Sequence, residues 1–147
     1  MPAPARAPRA HHPAHAGAHG ALYGDGLNVR DWLHIDDHVQ GIELVRAKGR
    51  PGEVYTIGGG TELTDKELVS LLLEACGAGW ESVEYVPDRK GHDRRYALDH
   101  TKITRELGYG PRKDFATGLA ETVSWDRDNR DWWEPLLRRA EPAGPAL

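Results

Sequence analysis

Thr64-Asp65-Lys66-Glu67 forms a capping box, in which the threonine oxygen accepts from the backbone at Glu67 and the glutamate reaches back, so a helix has to begin here. Leu68, Leu71, Leu72 and Ala75 supply its buried stripe and Gly77 stops it. The neighbouring segments are then read by periodicity. Val29 to Ile35 suits a strand, and Ile35, Val39, Ile42 and Val45 recur as one apolar helical face, capped by Asp36 or Asp37 and ended by Gly49-Arg50-Pro51-Gly52. Glu53 to Ile57 reads as the next strand, closed by Gly58-Gly59-Gly60, and Val83 to Val86 as another. Asp99 opens a short helix through Leu107 with Gly108 in the C-cap position. The last helix starts near Phe115, presents Phe115, Leu119 and Val123 on one face and runs towards Trp125, after which Trp132, Trp133, Leu136 and Leu137 fold back against the body. This pattern predicts a small mixed α/β domain with few, short strands.

A chain of 147 residues suffices for one domain, burying about 70% of the surface its unfolded form exposes. Residues 1–20 are almost wholly Ala, Pro, His, Arg and Gly and are expected to be a disordered low-complexity tail, followed by a lobe over 21–139 and a frayed Pro- and Ala-rich tail over 140–147. His11, His12, His15 and His19 permit a polyhistidine-like metal reading, but low-complexity drift is favoured. The net charge of −4 leaves 17 basic and 23 acidic side chains beyond the first twenty residues, which argues against a general nucleic-acid binder. The lone Cys76 lies in an apolar run, forms no internal disulfide and is read as a small core residue. No apolar run is long enough to cross a bilayer and no signal peptide is recognisable, so a cytoplasmic protein off the membrane is the expectation.

The chemistry is concentrated in Asp88-Arg89-Lys90-Gly91-His92-Asp93-Arg94-Arg95-Tyr96, directly after the strand-like Val83–Val86. Arginine offers a rigid fork of donors and glycine lets backbone approach a ligand, a composition suited to gripping phosphate. Composition alone also permits a solvated charged loop. A second cluster, Tyr23-Gly-Asp-Gly with Arg30-Asp-Trp, shifts the balance towards a small phosphorylated ligand. His34-Ile35-Asp36-Asp37-His38 has metal-ligand residue types, but a strand-to-helix junction capped by aspartate is favoured and no metal is assigned.

Taken in order, Tyr23-Gly-Asp-Gly, Arg30-Asp-Trp-Leu-His-Ile-Asp-Asp, Tyr55-Thr-Ile-Gly-Gly-Gly and the Asp88–Tyr96 run closely resemble the C-terminal part of dTDP-glucose 4,6-dehydratase, an extended short-chain dehydrogenase/reductase acting on nucleotide sugars. The resemblance runs from about Leu22 to Leu137 and is most specific over Gly91–Tyr96. It implies the substrate-binding lobe of that fold, with nucleotide contacts from Tyr23, Arg30, Thr56, Asp88, Arg89, Gly91, His92 and Tyr96. Tyr23 would lie against the base, Arg30 and Arg89 would contact the diphosphate, His92 would donate to phosphate or ribose, and Tyr96 would close the pocket; a turn tyrosine ahead of the Gly-Asp-Gly bend is an equal alternative for Tyr23, and a surface ion pair with Asp25 or Asp31 a lesser one for Arg30. Arg94 and Arg95 are expected to be structural. Thr56 stands where the family carries asparagine, which implies weaker nucleotide affinity.

The resembled enzymes need NAD on a glycine fingerprint after an N-terminal strand, and a helical tyrosine and lysine four apart. Gly17 to Gly24 imitates the fingerprint loosely without its strand and helix, and Tyr109 and Lys113 have the spacing but lie among Gly108, Gly110 and Pro111, which forbid the helix. The expectation is therefore a nucleotide-sugar-binding lobe with no cofactor or catalytic residue of its own, inactive alone, working with a separate Rossmann domain, its abrupt N-terminus suggesting a frameshift, truncation or misplaced start. The alternatives are a non-catalytic nucleotide-binding module, an inert gene remnant, or part of a UDP-sugar epimerase or decarboxylase.

Overall fold

The structure, a computed structural model, describes residues 20–140 and the side chains of residues 20–136. The expectations for residues 1–19, for 141–147 and for the Leu137 side chain lie outside the described residues. In chain order the elements are β1 (Gly20–Tyr23), β2 (Val29–Trp32), α1 (Ile35–Lys48), β3 (Thr61–Thr64), α2 (Asp65–Cys76), β4 (Val83–Val86), β5 (Arg95–Tyr96), α3 (Thr101–Leu107), α4 (Phe115–Asp128) and α5 (Arg130–Ala140). This is the small mixed α/β architecture expected. β1 pairs in parallel with β4, while β2 lies between antiparallel β3 and parallel β5.

The capping box forms as read: Glu67 N donates to Thr64 Oγ1 at 3.1 Å, Thr64 N donates to Glu67 Oε2 at 2.7 Å, and Gly77 ends α2 in the left-handed region. The buried stripe of α2 is shifted, with Leu73 enclosed and Leu71 at the surface, because the helix packs on α4. β1, β3 and β5 are additions to the sequence reading. Each is a segment of two to four residues that pairs with a distant strand, and such pairing leaves little local periodicity.

Four expectations are overturned by packing. The apolar face of α1 is not buried: Ile35, Val39 and Ile42 are 64%, 50% and 49% exposed, and the helix packs through Asp37, Gly41, Leu44 and Val45. Its N-cap is His34, whose Nδ1 accepts from Asp36 N, whereas Asp37 turns inward to accept from the backbone N–H groups of Arg112 and Lys113 at 3.0 and 3.1 Å. Glu53 to Ile57 forms no strand, since no described strand lies alongside it, and Val54 is 79% exposed. At the C-terminal end α4 continues to Asp128 and α5 follows; Trp133 is buried and donates to Asp126 O, but Trp132 and Leu136 remain exposed rather than folded back.

The core gathers Ile103, Leu107 and Tyr109, with Leu44, Val45, Tyr55 and Ile57 packed on it. Tyr109 is almost fully enclosed and donates to Gly58 O at 2.9 Å. Burial first, and then the charges of Asp37 and Asp31, push its phenol above the usual range. Lys113 is engaged elsewhere, by Asp36 and Glu121, while Tyr109 is held by Gly58 O.

Gly41 lets α1 approach this core. A Cβ there would come within 2.8 Å of Ile57 Cγ2 and 3.1 Å of Tyr109 Cε2. Helix propensity alone would make Gly41→Ala favourable by about 1 kcal/mol, but overpacking costs about 1–3 kcal/mol. The expected outcome in denaturant unfolding is a less stable variant; a gain in stability would show that the core yields freely at this point.

Candidate functional site

The site is assembled where the Asp88–Arg94 loop folds over the start of β2. β1 and β4 run side by side and deliver Tyr23 and Asp88 to one edge, with Gly24 N donating to Val86 O at 2.9 Å. The close approach at this edge requires glycine: Gly24 has φ 57°, and a Cβ there would lie 3.0 Å from Asp88 Cγ. Gly91, with φ 73°, turns the loop so that His92 N donates to Arg89 O. Val29 N then donates to Arg94 O at 2.8 Å, and β5 begins its two-residue ladder with β2.

His92 is the centre of the cluster, its side chain 6% exposed. Its Nε2 lies 2.8 Å from Arg30 Nη2 and 2.9 Å from Arg89 Nη2. Its Nδ1 lies 2.7 Å from Asp88 Oδ1 and 2.6 Å from Asn28 Nδ2. The Arg89 guanidinium also sits 5.2 Å from the centre of the Tyr23 ring, which meets the His92 ring edge-on. Two guanidinium edges and an amide N–H group thus converge on one imidazole, which has at most one lone pair to offer. The cluster holds more donors than acceptors. An anionic oxygen placed at the guanidinium edges would accept from both arginines and relieve the repulsion between them.

The surrounding carboxylates reflect the same field. The hydrogen bond from His92, then that from the Arg89 backbone, holds the Asp88 carboxyl below its usual range. Burial raises the carboxyl of Asp65, against the opposing influence of Arg30, His92 and Arg89. Arg94 turns away to Asp25 at 2.8 Å and Arg95 to Glu62 at 2.7 Å, so both brace the fold.

Among the residues singled out from the sequence, Tyr23, Arg30, Asp88, Arg89 and His92 are brought together, with Gly91 shaping their loop. Tyr96 pairs by backbone with Arg30 but its ring is exposed, and Thr56 lies in the unpaired 53–57 segment with no hydrogen bond to the cluster among the described residues. Asn28 was missed: it reads as a turn polar residue, and the loop that buries it lies some sixty residues away. A separate cavity of about 390 Å³, lined by Trp32, Leu68, Leu72, Phe115 and Leu119, is mostly apolar and contains none of these charged groups. Among the described residues no group of three or more His, Cys, Asp or Glu is placed to hold a metal, and no helix is long and apolar enough to cross a membrane.

A family model described as GDP-mannose 4,6 dehydratase matches residues 4–122, a span that contains the whole cluster. The chain belongs to this family. Its curated relatives include dTDP-glucose 4,6-dehydratases: it is 68% identical to the Streptomyces antibioticus enzyme over 125 residues, covering 85% of this chain and 37% of the relative. The dTDP-glucose 4,6-dehydratase DesIV from Streptomyces venezuelae, solved with NAD and TYD bound, is 62% identical with a TM-score of 0.79, over 82% of this chain and 37% of that one. UDP-glucose 4-epimerase from Thermotoga maritima, solved with UDP-glucose, is further off at 39% identity and a TM-score of 0.69, over 75% of this chain and 35% of that one. The chain therefore spans little more than a third of the length of these relatives, and the matched part has the fold of an extended short-chain dehydrogenase/reductase's C-terminal portion. The family match reaches further towards the N-terminus than the motifs, which begin at Leu22.

Because the Asp88 carboxyl titrates below its unfolded value, its contribution to stability is complete above the ordinary carboxyl range and is lost as the pH falls through the lowered folded value. Asp88→Asn is expected to melt below the parent chain at neutral pH and to converge with it in strong acid. A constant difference across the whole range would contradict this role.

Proposed function

We propose that this chain is the nucleotide-diphosphate-gripping part of a dTDP-glucose 4,6-dehydratase. The observation that carries the reading is the convergence of Arg30 and Arg89 on one acceptor beside the Tyr23 ring. In this role Arg30 and Arg89 hold the diphosphate, Tyr23 packs on the base, and Asp88, Gly91 and His92 shape the loop that aims the two arginines. Tyr96 and Thr56 are proposed as outer contacts, reached once ligand and neighbouring polypeptide are in place. The higher identity to dTDP-glucose dehydratases than to the UDP-glucose epimerase favours a dTDP sugar over a UDP sugar. The proposed setting is the cytoplasm.

The whole reaction, loss of water from dTDP-glucose to give dTDP-4-keto-6-deoxyglucose, draws on more than these residues. NAD supplies hydride transfer when bound. Gly58-Gly59-Gly60 does not fit its pyrophosphate, because the run opens strand β3 rather than a helix and is packed against Trp32 and Asp31. The exposed stripe Ile35, Val39 and Ile42 and the unpaired segment 53–57 support docking on a further α/β domain of the kind the relatives' greater length accommodates. In this reading the chain binds and orients the nucleotide sugar while hydride and proton transfer occur on the docked domain.

Turnover of dTDP-glucose tests this. The chain alone is expected to give none, and the chain mixed with a separately expressed portion of a dTDP-glucose dehydratase relative, covering what this chain does not match, is expected to convert the sugar. Conversion by the chain alone, or none in a mixture shown to associate, would contradict the division of labour and leave a binding module.

A further inference from the structure

We propose that Asn28 is a positioning residue of the diphosphate grip, holding His92 so that Arg30 and Arg89 are aimed at a common point. The inference rests on the reading of the cluster as a nucleotide-diphosphate site and adds a residue that contacts no ligand. Asn28 is 3% exposed, and with Asp37 it is one of two buried polar residues among those described. Buried amides are kept only where their polar atoms are matched, and each end of this one is turned towards the loop. Its Nδ2 lies 2.6 Å from His92 Nδ1 and its Oδ1 accepts from Arg94 Nη1 at 3.2 Å. Its backbone carbonyl accepts from Asp65 N at 2.9 Å, which ties the same point to the start of α2.

The consequence for the arginines follows from the order of the contacts. Arg30 comes from β2 and Arg89 from the loop after β4, but they share His92 Nε2, and the ring can present that nitrogen to both only if its other edge is fixed. Asp88 fixes that edge from the exposed side by accepting the Nδ1–H, its side chain 46% exposed, which leaves Nε2 as the lone-pair nitrogen, and the buried Asn28 amide closes against the same edge from the interior by packing. Without Asn28 the ring is held at that edge by Asp88 alone and can tilt about χ1 and χ2. Arg30 would keep its bonds to Val29 O and Asp93 O, so the loss would fall on the convergence of the two guanidinium groups rather than on the fold of β2.

Two variants and two ligands separate positioning from packing. Asn28→Leu keeps a side chain of similar reach but removes the polar ends facing Arg94 and His92; Asn28→Ala removes the side chain beyond Cβ, and neither adds charge. The expected result is that both variants stay folded by near-UV circular dichroism, bind dTDP about tenfold or more weakly, in line with the loss of a charge-assisted contact, and bind thymidine, which lacks phosphate, unchanged. In the ligand-free chain the ¹⁵N resonances of the His92 ring should move in both variants. Ring resonances unchanged from the parent, or equal losses for thymidine and dTDP, would overturn the proposal. Failure of the parent chain to bind dTDP would instead overturn the reading of the site, while the ring resonances would still decide whether Asn28 orients His92.

Discussion

The short parallel ladder between β2 and β5 is the constraint on which the site depends. It pairs Val29 with Arg95 and Arg30 with Tyr96, and the adjoining Val29 N to Arg94 O bond pulls the Asp88–Arg94 loop onto the start of β2. Two residues of ladder are weak by themselves, so the register is held by side chains on each flank: Arg94 with Asp25 and Asn28, and Arg95 with both carboxylate oxygens of Glu62 on β3. Exposed ion pairs of this kind contribute little individually. Together they determine register, and register determines whether Arg30 and Arg89 face each other.

That geometry concentrates positive charge where, among the described residues, the facing Nη2 groups of Arg30 and Arg89 share the single nitrogen of His92. A folded protein tolerates such an arrangement when a ligand supplies the missing oxygen, and the local acids moderate the field without replacing that ligand. Asp88 is bound to His92 and to the Arg89 backbone, Asp25 to Arg94, and Asp65 is partly withdrawn from water. In the proposed role the site suits a polyvalent anion with a flat group beside it, as the Arg89 guanidinium lies 5.2 Å from the centre of the Tyr23 ring at one end.

Local signals were legible in the sequence and nonlocal ones were not. The capping box at Thr64, the αL stops at Gly77 and Gly108 and the start of the last helix near Phe115 involve residues within a few positions of each other, and each element formed where or near where it was expected. The cationic loop was legible because arginine, glycine and histidine are dense there. Helix α1 shows the limit: its periodicity correctly announces an amphipathic helix, but periodicity says which face is apolar, not whether this chain covers it. Glu53 to Ile57 has the composition of a strand and stays unpaired because a strand needs a neighbour. Both features lie in the same stretch of chain, and both are explained if a further domain docks there. Asn28 was illegible for a related reason, since its burial is created by a loop distant in sequence.

The central claim is that two arginines converge to hold a nucleotide diphosphate. Calorimetric titration of the purified chain with dTDP, repeated on Arg89→Ala, tests it most directly. The account predicts saturable binding by the parent chain and a loss of about 10- to 100-fold in the variant, the range expected when a hydrogen bond to a charged group is removed. Equal affinity in both, or no binding by a chain shown to be folded, would contradict it.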